Sequence, residues 1–451
     1  MDTDDTFTLT AAGDAILNRR LRVFDGEEPF RAIVDRVREA DLSVVNLETL
    51  LHDYEGYPAA NAPGTYMQSP PWVADELTWA GFDAFAVATN HALDYSHGGM
   101  EATMRELEAR AIPYSGMGTT LTRARAPAYV DTPAGRCALV SVCSTITPGS
   151  VAGERGPDVG GRPGIAPLRL DTRYRLPPDA MERLRETSEA LGLEDLKRRR
   201  AELGFPIPGH DDDALRLLNL DGGAHPAFEV GDEFAVEQRA READVAAVID
   251  RIEDASRQAD WVVVSLHAHE GAQGRSNDHT VPPFLESFAR SCIDHGADAF
   301  LGHGPHVLRG VEVYRGSPIW YSLGNFLFQN ETVEFVPPEM YERYGLGDDD
   351  LPSAAFDARV FDDGERTGFL GDRAFWESVL PVCTFDSETK ELESVRLYPL
   401  DLGPEKPRPR RGRPLLASGE RAQEILGSIA ELSEPYDTEL VVDGDHARVA
   451  L

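Results

Sequence analysis

The chain has 451 residues, 41% of them apolar, which suits one large α/β domain with a sizeable core and inserted segments. Its 44 basic and 78 acidic residues leave a net charge of −34, which argues against a nucleic-acid or anionic-membrane partner. The acidity is spread along the chain and Lys197, Lys390 and Lys406 are its lysines, a composition that points to a halophilic protein whose self-repulsion is screened by salt.

The opening MDTDDTFTLT offers no basic or apolar leader, and no run of about 18 apolar residues follows. A soluble, cytoplasmic chain without a stable membrane anchor is therefore expected. FTLTAAGD reads as a strand ending at a turn, PFRAIVDRVREA as an amphipathic helix and LSVVNLET as a second strand. PWVADELTWAG is a short helix closing at Gly81, FDAFAVATN a third strand and GGMEATMRELEARA another helix. APAYVDTPAGRCALVSVCS reads as a hairpin. This alternation implies a β-α-β core.

Residues 148 to about 235 break the pattern and read as an insertion able to cover a site, with one helical stretch from Pro177 to Gly204. The core then resumes with EFAVEQRAREADVAAVIDRIEDASRQA as helix, DWVVVSLHAH as strand, PPFLESFARSCIDHGA as helix and DAFLGHG as strand. VLRGVEVYRGSPIWYSLGNF is a hairpin, residues 330–376 a polar loop region, and VLPVCTFDSETKELESVRLYPL another hairpin. On this reading residues 1–400 form the main domain, and 401–451 are a Pro/Arg-rich linker with a helix and hairpin packed on it. Cys137, Cys143, Cys292 and Cys383 lack metal-ligand spacing and read as small buried residues.

Ligand-type side chains recur at the C-terminal ends of the core strands: Asp14, then Asn46 and Glu48, Asn90 and His91, His267 and His269, and His303 and His306. An acid or amide after a strand often only caps a helix or closes a turn. Five strands delivering such residues to one edge is what a multi-metal site in an α/β sheet needs. Carboxylate, amide oxygen and imidazole suit divalent manganese, iron or zinc, and a bridging carboxylate holds two such ions about 3.5–4 Å apart.

The order GD (13–14), NLE (46–48), NH (90–91), SLHAHE (265–270), GHGPH (302–306) and YSLGNF (321–326) resembles the CapA family of poly-γ-glutamate capsule-biosynthesis proteins, of the calcineurin-like metallophosphoesterase superfamily. ATNHALDY and GHGPHVLRGVEVYRGSPIWYSLGNF are the specific parts, and the likeness runs from residue 7 to about 400. It implies a two-sheet α/β/β/α sandwich with its metal site at the strand ends. It implies Asp14 as the first aspartate ligand, Glu48 as the bridge between two ions and Asn90 as the amide ligand. His267 and His303 are implied as imidazole ligands of one ion, with His306 reaching the other. The wider superfamily has a histidine where this chain has Ile16, and one residue rather than Gly304-Pro305 between its paired histidines. These departures leave open a single ion, or a site rebuilt with His269.

The resemblance also implies that His91 faces the leaving group; Asp94, three residues on, reads as its orienting partner. Arg309 would neutralise charge developing on phosphoryl oxygens. Tyr321 and Asn325 would shape the surroundings. Hydrolysis of a small-molecule or polymer phosphoester is one expectation. A capsule-biosynthesis role with little phosphatase activity is the other.

Overall fold

The computed structural model describes residues 6–205, 214–217, 226–347 and 349–451. Parts of the insertion and the first five residues, on which the leader reading rests, lie outside these. The strand Thr6–Ile16 stands mid-sheet between Leu42–Leu47, parallel to it, and Glu377–Asp386, antiparallel. Ala84–Ala86 and Tyr114–Ser115 extend this sheet on one side. Leu392–Asp401 and the terminal hairpin Leu440–Asp443/His446–Val449 extend it on the other. A second sheet runs Val311–Tyr314, Ser317–Trp320, Ala299–His303, Trp261–His267, Gly135–Cys143, Ala128–Thr132.

Period-two burial builds the sandwich. Phe7, Leu9 and Ala11 of the first sheet and Leu139, Trp261, Val263 and Leu301 of the second share the core between the sheets. The outer face of the first sheet packs on helices Glu28–Glu39 and Val73–Ala80 through Ile33, Val34, Val37 and Leu77. That of the second packs on Glu242–Ala255 and Pro283–Asp294 through Val248, Ile252, Phe288 and Cys292. The result is the expected α/β/β/α order. Each apolar side chain so buried contributes about 1.5–3 kcal/mol. The C-terminal helix Gly419–Ser433 adds Ala422, Ile425, Leu426 and Ile429 to the central core. All four cysteines are free and buried, as read, and burial pushes the Cys137 and Cys383 thiols up to about 12.

The structure corrects three readings. The stretch after Glu233 is not one helix: Ala235–Ala240 is a strand and the helix is Glu242–Ala255. Antiparallel pairing with Leu170–Leu176, in an inserted four-stranded sheet, overrides its helical pattern. The helix expected from Pro177 to Gly204 is two helices, Pro178–Ala190 and Leu193–Glu202, broken where Gly192 takes a left-handed φ of 70°. Residues 330–376 are not simply loop, because Pro338–Arg343 and Pro352–Val360 are helices that bury Met340, Ala355, Phe356 and Val360. Among the described residues no helix is long and apolar enough to cross a membrane.

Candidate metal centre

Asp14 sits where the first strand bends. Its pairing shifts register between Ala12 and Asp14 on one side and between Asp14 and Ala15 on the other. Such irregularities re-aim a side chain out of the strand's alternation. The Asp14 carboxylate accepts the Gly304 N–H at 3.1 Å and the Asn46 amide at 2.8 Å. Gly304 is held at a φ of 107°, and a Cβ there would stand 2.9 Å from the backbone N of Ala268, so the GHGPH turn tolerates only glycine at this point. His306 follows at a φ of 62°, and its Nδ1 lies 3.4 Å from Asp14.

Glu48 is fully buried at the end of Leu42–Leu47, and neither carboxylate oxygen has a hydrogen-bond partner. Four imidazole Nε2 atoms surround its Oε1: His267 and His306 at 3.7 Å, His91 and His269 at 3.8 Å. These spacings are too long for hydrogen bonds and suit ligands with an ion between them. Two groups of three side chains converge closely enough to hold an ion, Glu48–His267–His269 and Asp14–Glu48–His306, and Glu48 belongs to both. Asn90 joins the first, its Oδ1 3.1 Å from His267 Nε2.

The histidines are held in ligand form. Asn277 Oδ1 meets His269 Nδ1 at 2.6 Å, and Asn325 Oδ1 meets His306 Nδ1 at 2.9 Å. The Asn325 amide donates to the carbonyls of His306 and Phe375, which fixes its oxygen toward the ring. Each Nδ1 therefore carries the proton and leaves the Nε2 lone pair facing Glu48.

Electrostatics agree with a cation site. Burial raises the Glu48 pKa well above the usual carboxylate range, and Asp14 and Asp94 raise it further. Burial also acts to raise the Asp14 pKa, but the hydrogen bond from His306 and the surrounding imidazoles of His306, His267 and His303 outweigh it and hold Asp14 low. Burial drives His269 down to about 3 and His303 to about 4, so these rings stay neutral. Buried acids among neutral imidazoles, with orphaned oxygens, are stabilised by a bound cation.

The other expected residues fall less evenly. His91 Nδ1 donates to Asp94 Oδ2 at 2.6 Å, and Asp94 also accepts the Met67 N–H at 2.7 Å. His303 lies opposite His267 on the neighbouring strand but falls in neither three-ligand group. It stands 4.0 Å from Asp14 with both ring nitrogens unpartnered, and His269 fills the position beside His267. Arg309 does not reach the cavity. Its guanidinium donates to the carbonyls of Asp278 and Glu270, which ties down the loop carrying Asn277. Tyr321 turns away and donates to Glu312.

The centre opens into a cavity of about 190 Å³, lined by Asn90, His91, His269 and His306 and roofed by Pro63–Thr65, Arg359 and Phe369. Among the described residues none of the 148–235 insertion lines it; the cover comes from residues 63–67 and from the 330–376 region. A larger cavity of about 580 Å³, between Ala235–Ala240 and Pro283–Asp294, holds no histidine or cysteine. Asn277, on an irregular segment, and Arg359 and Phe369, on helices of a stretch read as polar loop, escaped the sequence reading because no motif surrounds them.

Residues 8–330 match the family described as bacterial capsule synthesis protein PGA_cap. The chain belongs to that family. The uncharacterized protein y4sH of Sinorhizobium fredii is 34% identical over 97% of this chain and 92% of its own length. The capsule biosynthesis protein CapA of Bacillus anthracis is 22% identical over 72% of this chain and 60% of its own. A solved structure described as a novel phosphatase of Mycoplasma pneumoniae covers 88% of this chain and 94% of its own, at 9% identity and a TM-score of 0.40. That likeness is too loose to build on. Within the PGA_cap family match fall all the strand-end residues from Asp14 to His306, whereas Arg359 and Phe369 lie beyond it.

Proposed function

We propose that this chain is a metal-dependent phosphoester hydrolase. The observation that carries the reading is the ring of four Nε2 atoms around the unpartnered Glu48 carboxylate. Glu48, His267, His269 and Asn90 would hold one divalent ion, and Asp14, Glu48 and His306 a second. Manganese, iron and zinc fit this donor set. Such ions, when bound, lower the pKa of water toward about 7 and neutralise charge on phosphoryl oxygens.

The chain's own residues supply the rest. The Asp94 carboxylate holds the His91 ring through Nδ1, which leaves Nε2 free to hold or deliver a proton at the leaving oxygen. Gly304 and Asn46 fix the Asp14 carboxylate, so no reorganisation is needed as substrate enters. The roof of Pro63–Thr65 and Phe369 limits access of bulk water. The proposal takes a small-molecule or polymer phosphoester as substrate and the cytoplasm as location. The net charge of −34 supports the absence of nucleic acid.

The test is turnover of a chromogenic phosphodiester and a phosphomonoester by protein reconstituted with manganese in high salt, with metal content measured in parallel. Metal uptake without turnover of either ester would overturn the hydrolase reading. It would favour a second one, a capsule-biosynthesis component of little phosphatase activity, which family membership and the CapA relatives support. Restored polyglutamate production in a CapA-deleted host would then separate the two.

A further inference from the structure

Opposite the metal centre, among the described residues that line the cavity, the arginine is Arg359, near the end of the helix Pro352–Val360. Its Nη1 donates to Thr65 Oγ1, and its guanidinium lies 5.0 Å over the ring of Phe369. Phe369 in turn meets the His306 ring at 5.8 Å. A Cβ on Gly64 would stand 3.7 Å from Arg359 Nη2 and 4.0 Å from His91 Cε1. The guanidinium and the leaving-group histidine therefore face each other across a bare glycine.

Arg359 also lacks a carboxylate. In a chain with 78 acidic residues, no Asp or Glu oxygen lies within ion-pair distance of it among the described residues. The nearby acids are engaged elsewhere: Asp357 pairs with Arg408 at 2.5 Å, and Glu331 pairs with Arg408 and Arg411. A half-buried guanidinium beside a cavity with no carboxylate on it has donors to spare for an oxyanion, and planar two-pronged donation suits carboxylate or phosphate.

We infer that Arg359 is a specificity-determining residue that binds a second anionic group of the substrate, one carried on the leaving side of the scissile phosphoester. The inference rests on the proposed metal centre for the position of the first anion. It makes the preferred substrates at least doubly anionic, with the second charge on the His91 side of the reacting group. Gly64 keeps the path between the two charges open. Thr65 and Phe369 position the guanidinium and do not themselves touch the anion.

The probes are alkylphosphonates and ω-carboxyalkylphosphonates of matched chain length, titrated calorimetrically into manganese-loaded full-length protein. Wild type should bind the carboxylated member of fitting length roughly 10- to 100-fold more tightly than its uncharged partner, the worth of a charge-assisted hydrogen bond. Arg359→Met should erase that advantage while weakening the plain alkylphosphonate far less. Arg359→Lys should restore part of it. Thr65→Val, which removes the tether and keeps the charge, should retain most of it. Equal binding of the two probe series by wild type at every chain length would overturn the inference and leave the metal centre standing. Equal loss of both series in Arg359→Met and Thr65→Val would also overturn it, by making Arg359 a brace for the roof. Failure of wild type to bind any phosphonate would overturn the metal-centre reading and this inference with it.

Discussion

Asn277 Oδ1 lies 2.6 Å from Nδ1 of His269, and this contact turns the histidine's other nitrogen into a lone pair aimed at Glu48. The same His269 ring stands 3.0 Å from His267, Nε2 to Nε2. The imidazoles grouped with Glu48 come from later strand ends, His267, His269 and His306.

Metal content should follow these contacts. His269→Ala should remove one ion, and Asn277→Ala should weaken metal affinity by about 10–100-fold, the usual cost of losing a hydrogen bond behind a ligand. Glu48→Gln should empty both positions, since Glu48 belongs to both groups. His303→Ala should cost less metal than His269→Ala, because His303 belongs to neither three-ligand group. Metal stoichiometry by elemental analysis, with a competing chelator for affinity, checks all four. Equal losses in the His303 and His269 variants would restore the ligand set inferred from sequence.

His91 and Asp94 should behave as a pair. His91→Ala should lower turnover by about 10²–10⁴-fold while keeping most of the metal. The loss should shrink for esters with good leaving groups, which need little protonation. Asp94→Asn should move in the same direction, since it frees the ring that the carboxylate holds at 2.6 Å. The check is turnover of two phosphoesters of different leaving-group pKa beside metal analysis. Loss of metal in His91→Ala would make His91 a ligand, a role its 3.8 Å approach to Glu48 permits.

Most of this site was legible because strand ends announce themselves. An apolar run closed by Asp, Glu, Asn or His fixes both the element and the edge to which the side chain is delivered, and Asp14, Glu48, Asn90, His267 and His306 come together on that logic. The β-α-β core was legible for a related reason, since strands alternate with amphipathic helices, whereas the two-sheet layer order came from the family resemblance. What escaped depends on long-range geometry. Arg309 follows GHGPHVL and seemed placed for catalysis, yet its guanidinium is drawn to carbonyls of the 270–278 loop. Arg359 sits in a polar, Asp-rich stretch with no periodic signal, and only the folded chain brings it over His91. Ala235–Ala240 has a helical pattern but pairs as a strand because Leu170–Leu176 offers it an edge.

Metal-free protein should lose stability in acid. Burial lowers the pKa of His269 to about 3 and of His303 to about 4, against an ordinary value near 6.5. The unfolded chain therefore takes up protons that the folded chain refuses between these limits. The stabilising contribution is full above about pH 6.5 and falls as pH drops toward the folded values, by about 1.4 kcal/mol per pH unit for each such ring. Chemical denaturation of chelator-treated protein between pH 7 and 5 should show this slope. His269→Gln should flatten it. Glu48, whose raised pKa works in the opposite direction over this window, offsets part of the slope. The decisive reading is therefore the difference between the unsubstituted protein and His269→Gln; identical profiles would mean that the His269 ring is hydrated rather than buried.

Salt should stabilise the fold. The surface carries the excess of 78 acidic over 44 basic residues, and repulsion among exposed carboxylates works against compaction at low ionic strength. Raising potassium chloride to molar levels shrinks the screening length from about 10 Å at 0.1 M to about 3 Å. Salt also weakens exposed ion pairs such as Arg31–Asp35 and Arg183–Asp179, but each of these contributes only about 0.2–1 kcal/mol. The many unpaired acids outnumber such pairs, so relief of repulsion should prevail and the melting temperature should rise. Because screening grows as the square root of concentration, the rise should be steepest below about 0.5 M and flatten beyond it. Thermal unfolding across a potassium chloride series reads both features. Replacing several exposed acids on one face with their amides should raise the low-salt melting temperature and reduce its dependence on salt. A melting temperature that stays constant or falls with salt would show that the acidity is solvated without strain, and would remove the basis for a halophilic reading.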